Sequence, residues 1–112
     1  MDLKITVLNG SPKGEVSVTY QHFRLISKKF PEVKFEDFNI SQQINSIEKD
    51  KKKFDEIINS VKDSDAVLWL TPVYHFTIPG QLKRFIEMIY ENGEEDVFKG
   101  KYATLLTTSI QF

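Results

Sequence analysis

The chain has 112 residues, 40% hydrophobic and 28% charged, the balance of one ordinary globular domain. Its 15 Lys and Arg stand against 16 Asp and Glu, for a net charge of -1, so it carries no basic field to hold nucleic acid or an anionic membrane. It has no cysteine, which excludes disulfides, zinc–thiolate sites and cysteine-ligated iron–sulfur clusters within these residues.

The start, Met1-Asp2-Leu3-Lys4, runs straight into a strand-like segment with no basic, apolar leader. The longest apolar run, Ala66 to Leu70, falls far short of the about 20 residues that cross a bilayer. A soluble, cytoplasmic protein with no membrane partner is expected.

Leu3 to Leu8 is β-branched and ends at Asn9-Gly10, a strand followed by a breaker. Val16 to Tyr20 alternates like a strand, and Asn-Gly is a hairpin signal, so residues 3 to 20 read locally as a β-hairpin. Against that, the intervening loop is long, and Tyr20, Phe23, Ile26 and Phe30 have helical spacing. Val33 to Phe38 is a second short strand. Phe54, Ile57, Ile58 and Val61 form one helical stripe, with Lys51-Lys52-Lys53 as its solvated flank. Ala66 to Leu70 is a continuous apolar run, as in a central strand covered on both faces, and Trp69 belongs to that core. Leu82, Phe85, Ile86 and Ile89 repeat the helical stripe, with Pro79 at its start and Asn92-Gly93 at its stop. Tyr102 to Thr108 is a fourth strand. Strands alternating with helices imply parallel pairing through right-handed crossovers.

Ligands of open parallel sheets sit beyond the carboxyl ends of the strands. The loop Asn9 to Thr19 leaves one such end, with two glycines, three hydroxyls and Lys13 just before a helix. Close backbone approach, hydroxyl donors and helix N-terminal amides together suit a phosphate. A merely capped loop has the same composition, since Ser and Thr are common helix caps. Neither a Walker pattern nor GxGxxG is present. The loop Thr71 to Gly80 leaves the third strand; it is aromatic and stiffened by Pro72 and Pro79. Beside a phosphate site such a loop suggests a flat ring as ligand; alone, it reads as packing over the sheet end.

The segments "NGSPKGEVSVT" and "TPVYHFTIPGQLKRFIE" resemble the NADPH-dependent FMN reductase family of the flavodoxin-like superfamily. The resemblance covers nearly the whole layout and is specific in these two loops. It implies an α/β fold, a flavodoxin-like parallel sheet with helices on both faces, truncated here after the fourth strand. Residues 1–112 would form one FMN-binding domain, the N-terminal part of the family layout. It further implies that Ser11, Lys13, Ser17, Val18 and Thr19 wrap the FMN phosphate. Pro72, Val73, Tyr74, His75 and Phe76 would border the ribityl chain and the ring. The resemblance also favours the helix at Thr19 to Phe30 over the hairpin.

The implied activity is electron transfer from NADPH or NADH through bound FMN to a small-molecule or protein acceptor. A flavin-binding electron carrier, or a noncatalytic fragment, has the same residues. The spacer before Thr19 departs from the family's Asn-rich form, and the cysteines of its iron–sulfur branch are missing. An uncovered fourth strand would be a template for pairing with a second copy, so self-association or weak flavin retention is expected. His75 is read as a loop residue without a titration role, His22 as solvated, and Glu94-Glu95-Asp96 as an exposed turn rather than a metal site.

Overall fold

The computed structural model describes residues 3–73 and 77–109. Four strands form one parallel sheet: β1 (Lys4–Asn9), β2 (Lys34–Asn39), β3 (Ala66–Val73) and β4 (Tyr102–Ser109), in spatial order β2-β1-β3-β4. β1 is flanked on both sides, with Ile5 opposite Phe35 on β2 and opposite Ala66 on β3. Four helices connect them: α1 (Val18–Lys28), α2 (Ile44–Lys49), α3 (Lys51–Lys62) and α4 (Gly80–Glu91). The chain leaves β1 in one direction to reach β2 and crosses back over to β3. The reversal opens a crevice at the carboxyl ends of β1 and β3.

The hairpin is absent, because both edges of β1 are taken by β2 and β3. Ser17 caps α1 instead, its hydroxyl oxygen accepting the Tyr20 amide at 3.1 Å. The valines that gave residues 16–20 their strand-like alternation, Val16 and Val18, remain 78% and 64% exposed. Tyr20 and Phe23 turn inward on the helical period.

The structure departs from the sequence pattern at three elements. The third strand does not end at Leu70 but runs on through Thr71, Pro72 and Val73. Leu70 is its last partner on β1, so Pro72 lies where that side of the strand has become an edge and a missing N–H is tolerated. The helix α2 has no counterpart in the sequence pattern, because six residues with two buried isoleucines, Ile44 and Ile47, are too few to show a period. Asp50 ends it and caps α3, accepting the Lys52 amide at 3.0 Å. On α4, Met88 rather than Ile86 completes the deeply buried stripe.

Side chains alternate across the sheet. Leu8, Val67 and Trp69 point to the face covered by α2, α3 and α4, where Phe54, Ile57, Val61, Leu82 and Phe85 fill a large core. Trp69 stacks on Phe98 with ring centroids 5.9 Å apart, a packing residue as expected. Val7 and Leu70 point to the other face, covered by α1 through Tyr20 and Phe23. At the amino ends of the strands, Thr6 bonds to Ser60 at 2.8 Å and to Ser64, and Ser60 donates to Glu36. Among the described residues no helix is long and apolar enough to cross a membrane, and no acidic, His or Cys group could hold a metal ion.

Candidate functional site

The crevice is shaped by Asn9, the last residue of β1, which is fully buried. Its Oδ1 accepts the Ser11 amide at 3.1 Å, and its Nδ2 donates to the Gly14 carbonyl at 3.1 Å and to Asn39 Oδ1 at 3.2 Å. Ser41 Oγ donates to the Gly10 carbonyl at 2.6 Å. The loop between β1 and α1 is thus bonded from inside, by side chains whose own polar atoms are satisfied.

Gly10 is required by close approach. A Cβ there would lie 2.5 Å from Leu82 Cδ2 and 2.9 Å from the Leu70 carbonyl oxygen. The Gly10 amide donates to that same carbonyl at 2.6 Å, pinning the loop to β3. Gly14 adopts φ +60°, the left-handed region that favours glycine.

On this frame the hydroxyls converge. Ser11 is 1% exposed, and its Oγ accepts the Lys13 amide at 3.3 Å; Ser17 Oγ accepts the Tyr20 amide. Each of these oxygens therefore keeps its own proton to donate toward the cleft. The amides of Val18 and Thr19 lie in the first turn of α1, where no intrahelical acceptor exists. The Thr19 and Thr108 hydroxyls bond to each other at 2.7 Å. Lys13 adds an exposed ammonium group.

These groups line a cleft of about 170 Å³, closed on its other side by Pro72, Val73, Thr108 and Ser109. No carboxylate is among the described lining residues. Donors, a cation and a helix N-terminus, with no carboxylate among the described lining residues, make the cleft a place for an anion. A second cleft, of about 270 Å³ beyond β2, is lined by Asp37, Lys53 and Glu56 among others. Its mixed signs give it no such preference.

Tyr20 fixes the start of α1 to the sheet. Its hydroxyl shares its proton between Asp37 Oδ2 at 2.9 Å and Glu15 Oε1 at 3.3 Å. Burial, then the bond to Asp37, holds the phenol's pKa well above its ordinary value, so it stays a donor.

Ser11, Lys13, Ser17, Val18, Thr19, Pro72 and Val73, all expected at a site from sequence, come together around this one cleft. Tyr74, His75 and Phe76 lie outside the described residues. His22 is exposed on α1. Sequence reasoning missed Asn9, whose Asn-Gly pair read as a turn signal, and Thr108 and Ser109, which sit in an unremarkable strand. Nothing local marks Thr108; only the parallel pairing of β4 with β3 brings it to the cleft.

The sequence matches the model of the NADPH-dependent FMN reductase family over residues 3–111. It is similar to the FMN-dependent NADH:quinone oxidoreductase of Photorhabdus laumondii, 38% identical over 63 residues, which span 48% of this chain and 32% of that protein. An iron-sulfur flavoprotein of Archaeoglobus fulgidus is 40% identical over 48 residues, or 43% of this chain and 22% of that one. Among solved structures, the flavoenzyme NAD(P)H:(acceptor) oxidoreductase of Paracoccus denitrificans superposes with a TM-score of 0.73 at 22% identity, over 96% of this chain and 61% of that one. The general stress protein 14 of Treponema denticola, in complex with FMN, gives 0.69 at 16% identity, over 98% and 63%. The chain therefore spans less than two thirds of the length of these relatives and shares their fold. It belongs to the NADPH-dependent FMN reductase family.

Proposed function

We propose that residues 1–112 form an FMN-binding domain of an oxidoreductase that takes electrons from NADPH or NADH and delivers them to a small-molecule or protein acceptor. The carrying observation is the convergence of the Ser11, Ser17 and Thr19 hydroxyls, the first-turn amides of α1 and Lys13 on one cleft with no carboxylate among its described lining residues. That donor set fits the dianionic phosphate of FMN. Each charge-assisted hydrogen bond is worth roughly 1.5–3 kcal/mol, so several of them anchor a phosphate without large apolar burial.

In this reading Ser11, Lys13, Ser17, Val18 and Thr19 hold the phosphate. Pro72 and Val73, with Tyr74, His75 and Phe76 beyond them, border the ribityl chain and the ring. Asn9 and Gly10 keep the loop in place while the ligand exchanges. FMN, when bound, would supply the redox chemistry that links the nicotinamide to the acceptor. The protein needs no acid or base of its own for that role; it binds, orients and excludes water. The redox names and FMN of the relatives support the reading, which places the protein with the cytoplasmic nicotinamide pool.

The test is retention. The purified protein, mixed with FMN or with riboflavin and then desalted, should keep the visible flavin bands of FMN and lose riboflavin. NADPH or NADH should then bleach the retained flavin under anaerobic conditions. Desalting that strips both flavins equally would overturn the phosphate assignment.

A further inference from the structure

Thr19 and Thr108 are 89 positions apart, on the first helix and the last strand, yet their hydroxyl oxygens lie 2.7 Å apart. Thr19 is 1% exposed and Thr108 half-buried, and both line the anion cleft. A hydroxyl has one proton and two lone pairs, so the pair can be arranged in two ways. If Thr19 donates to Thr108, Thr19 turns only lone pairs to the cleft beside the α1 N-terminus, where they repel an anion, and the free proton sits on Thr108 at the β4 side. If Thr108 donates to Thr19, the Thr19 proton is released toward the cleft, and the two bonds polarise each other in series. An anion held by the first-turn amides of α1, beside Thr19, favours the second arrangement.

We propose that Thr108 is a positioning residue of the anion site, acting through Thr19 by occupying its lone pair and directing its proton at the bound phosphate. The inference rests on the phosphate reading of the cleft. It gives β4 a part in binding that its exposed surface does not suggest. The main-chain pairing of Thr108 with Pro72 on β3 sets the height at which its hydroxyl meets α1. Anything that shifts β4 along β3 therefore changes the Thr19 donor, and phosphate binding in turn holds β4 in register.

The experiment compares FMN and riboflavin affinities, read by flavin fluorescence quenching, for the wild-type chain, Thr108→Val, Thr108→Ser, Thr19→Val and the double valine variant. Thr108→Val keeps the side-chain shape and removes the hydroxyl. It should weaken FMN about fivefold to tenfold, the effect of one hydrogen bond, and leave riboflavin within about twofold. Thr108→Ser should restore the wild-type ratio. In the Thr19→Val background, Thr108→Val should add no further loss, because its effect runs through Thr19.

Equal FMN affinity in Thr108→Val and wild type would overturn the proposal while the phosphate reading stands. So would a loss shared by both flavins, which would mark a structural role. A loss that persists in the Thr19→Val background would place Thr108 in direct contact with the ligand instead. A wild-type chain that binds FMN no better than riboflavin would overturn the phosphate reading first and this inference with it. Should Thr108→Val lack the wild-type circular dichroism spectrum, Thr108→Ala against Thr108→Ser gives the same decision.

Discussion

The two faces of the sheet are held by different means. On one side α2, α3 and α4 bury Phe54, Ile57, Leu82, Phe85 and Met88 with Leu8 and Val67 in a broad apolar core, and Arg84 braces it by reaching Glu91 at 2.7 Å and Glu48 at 3.1 Å. On the other, α1 contributes Tyr20 and Phe23 to a cluster with Val7 and Leu70, while Leu25 and Ile26 remain 61% and 42% exposed. What α1 lacks in apolar burial it replaces with directed hydrogen bonds: the Ser17 cap, Tyr20 to Asp37, Thr19 to Thr108. The candidate anion site stands at the end of this lightly buried helix. Hydrogen bonds fix direction as well as distance, so the sparse face can place donors where the thick face mainly supplies stability.

The largest expected effect lies in the thick core. Phe85→Ala should cost about 3–5 kcal/mol, and Phe23→Ala on the α1 face less, about 2–3 kcal/mol, because fewer neighbours line the space it leaves. Urea unfolding midpoints at constant slope measure both; equal losses would break the contrast between the faces. Gly10→Ala comes next, at about 1–3 kcal/mol, since its Cβ meets the Leu70 carbonyl, which cannot swing away. The same variant should lose FMN more readily than its stability loss alone accounts for, read as flavin retained after desalting.

Polar ties rank below these. Tyr20→Phe should cost about 1 kcal/mol, because Asp37 and Glu15 are exposed and recover water when the phenol is gone. Ser17→Ala should cost a similar amount through the lost cap, and in addition weaken FMN but not riboflavin, a split that titration of the two flavins resolves.

The smallest effect is at the opposite end of the strands. The hydrogen bond from Ser60, and after it Lys4, holds the Glu36 carboxyl below its usual range. The folded chain then binds fewer protons there than the unfolded one. The stabilisation is complete above the unfolded value of about 4.3 and disappears as pH falls through the folded value. Glu36→Gln should flatten that part of the acid limb in urea unfolding. The side chain is 44% exposed, so solvent screening keeps the change small.

Much of this molecule was legible in its sequence, for reasons that differ by element. The stripes of α3 and α4 and the apolar run of β3 are periodic over enough residues to declare themselves, and they fixed the fold class. The short α2 could not, with two buried isoleucines in six residues. Residues 16–20 pointed both ways, because Val16 and Val18 alternate with polar neighbours although the fold leaves both in solvent. The donor-rich loop was visible as a composition of Gly, Ser, Thr and Lys, but composition does not say where its protons point.

Local order along the chain therefore determined the alternation of strands and helices, the parallel sheet and the segment that carries the donors. Tertiary structure decided the rest: which helix face stayed thin, that Asn9 is the internal brace of the loop, and that Thr108 meets Thr19. The physical reason is range. Periodicity and capping act between residues a few positions apart, whereas a hydrogen bond across 89 positions exists only once β4 has docked on β3.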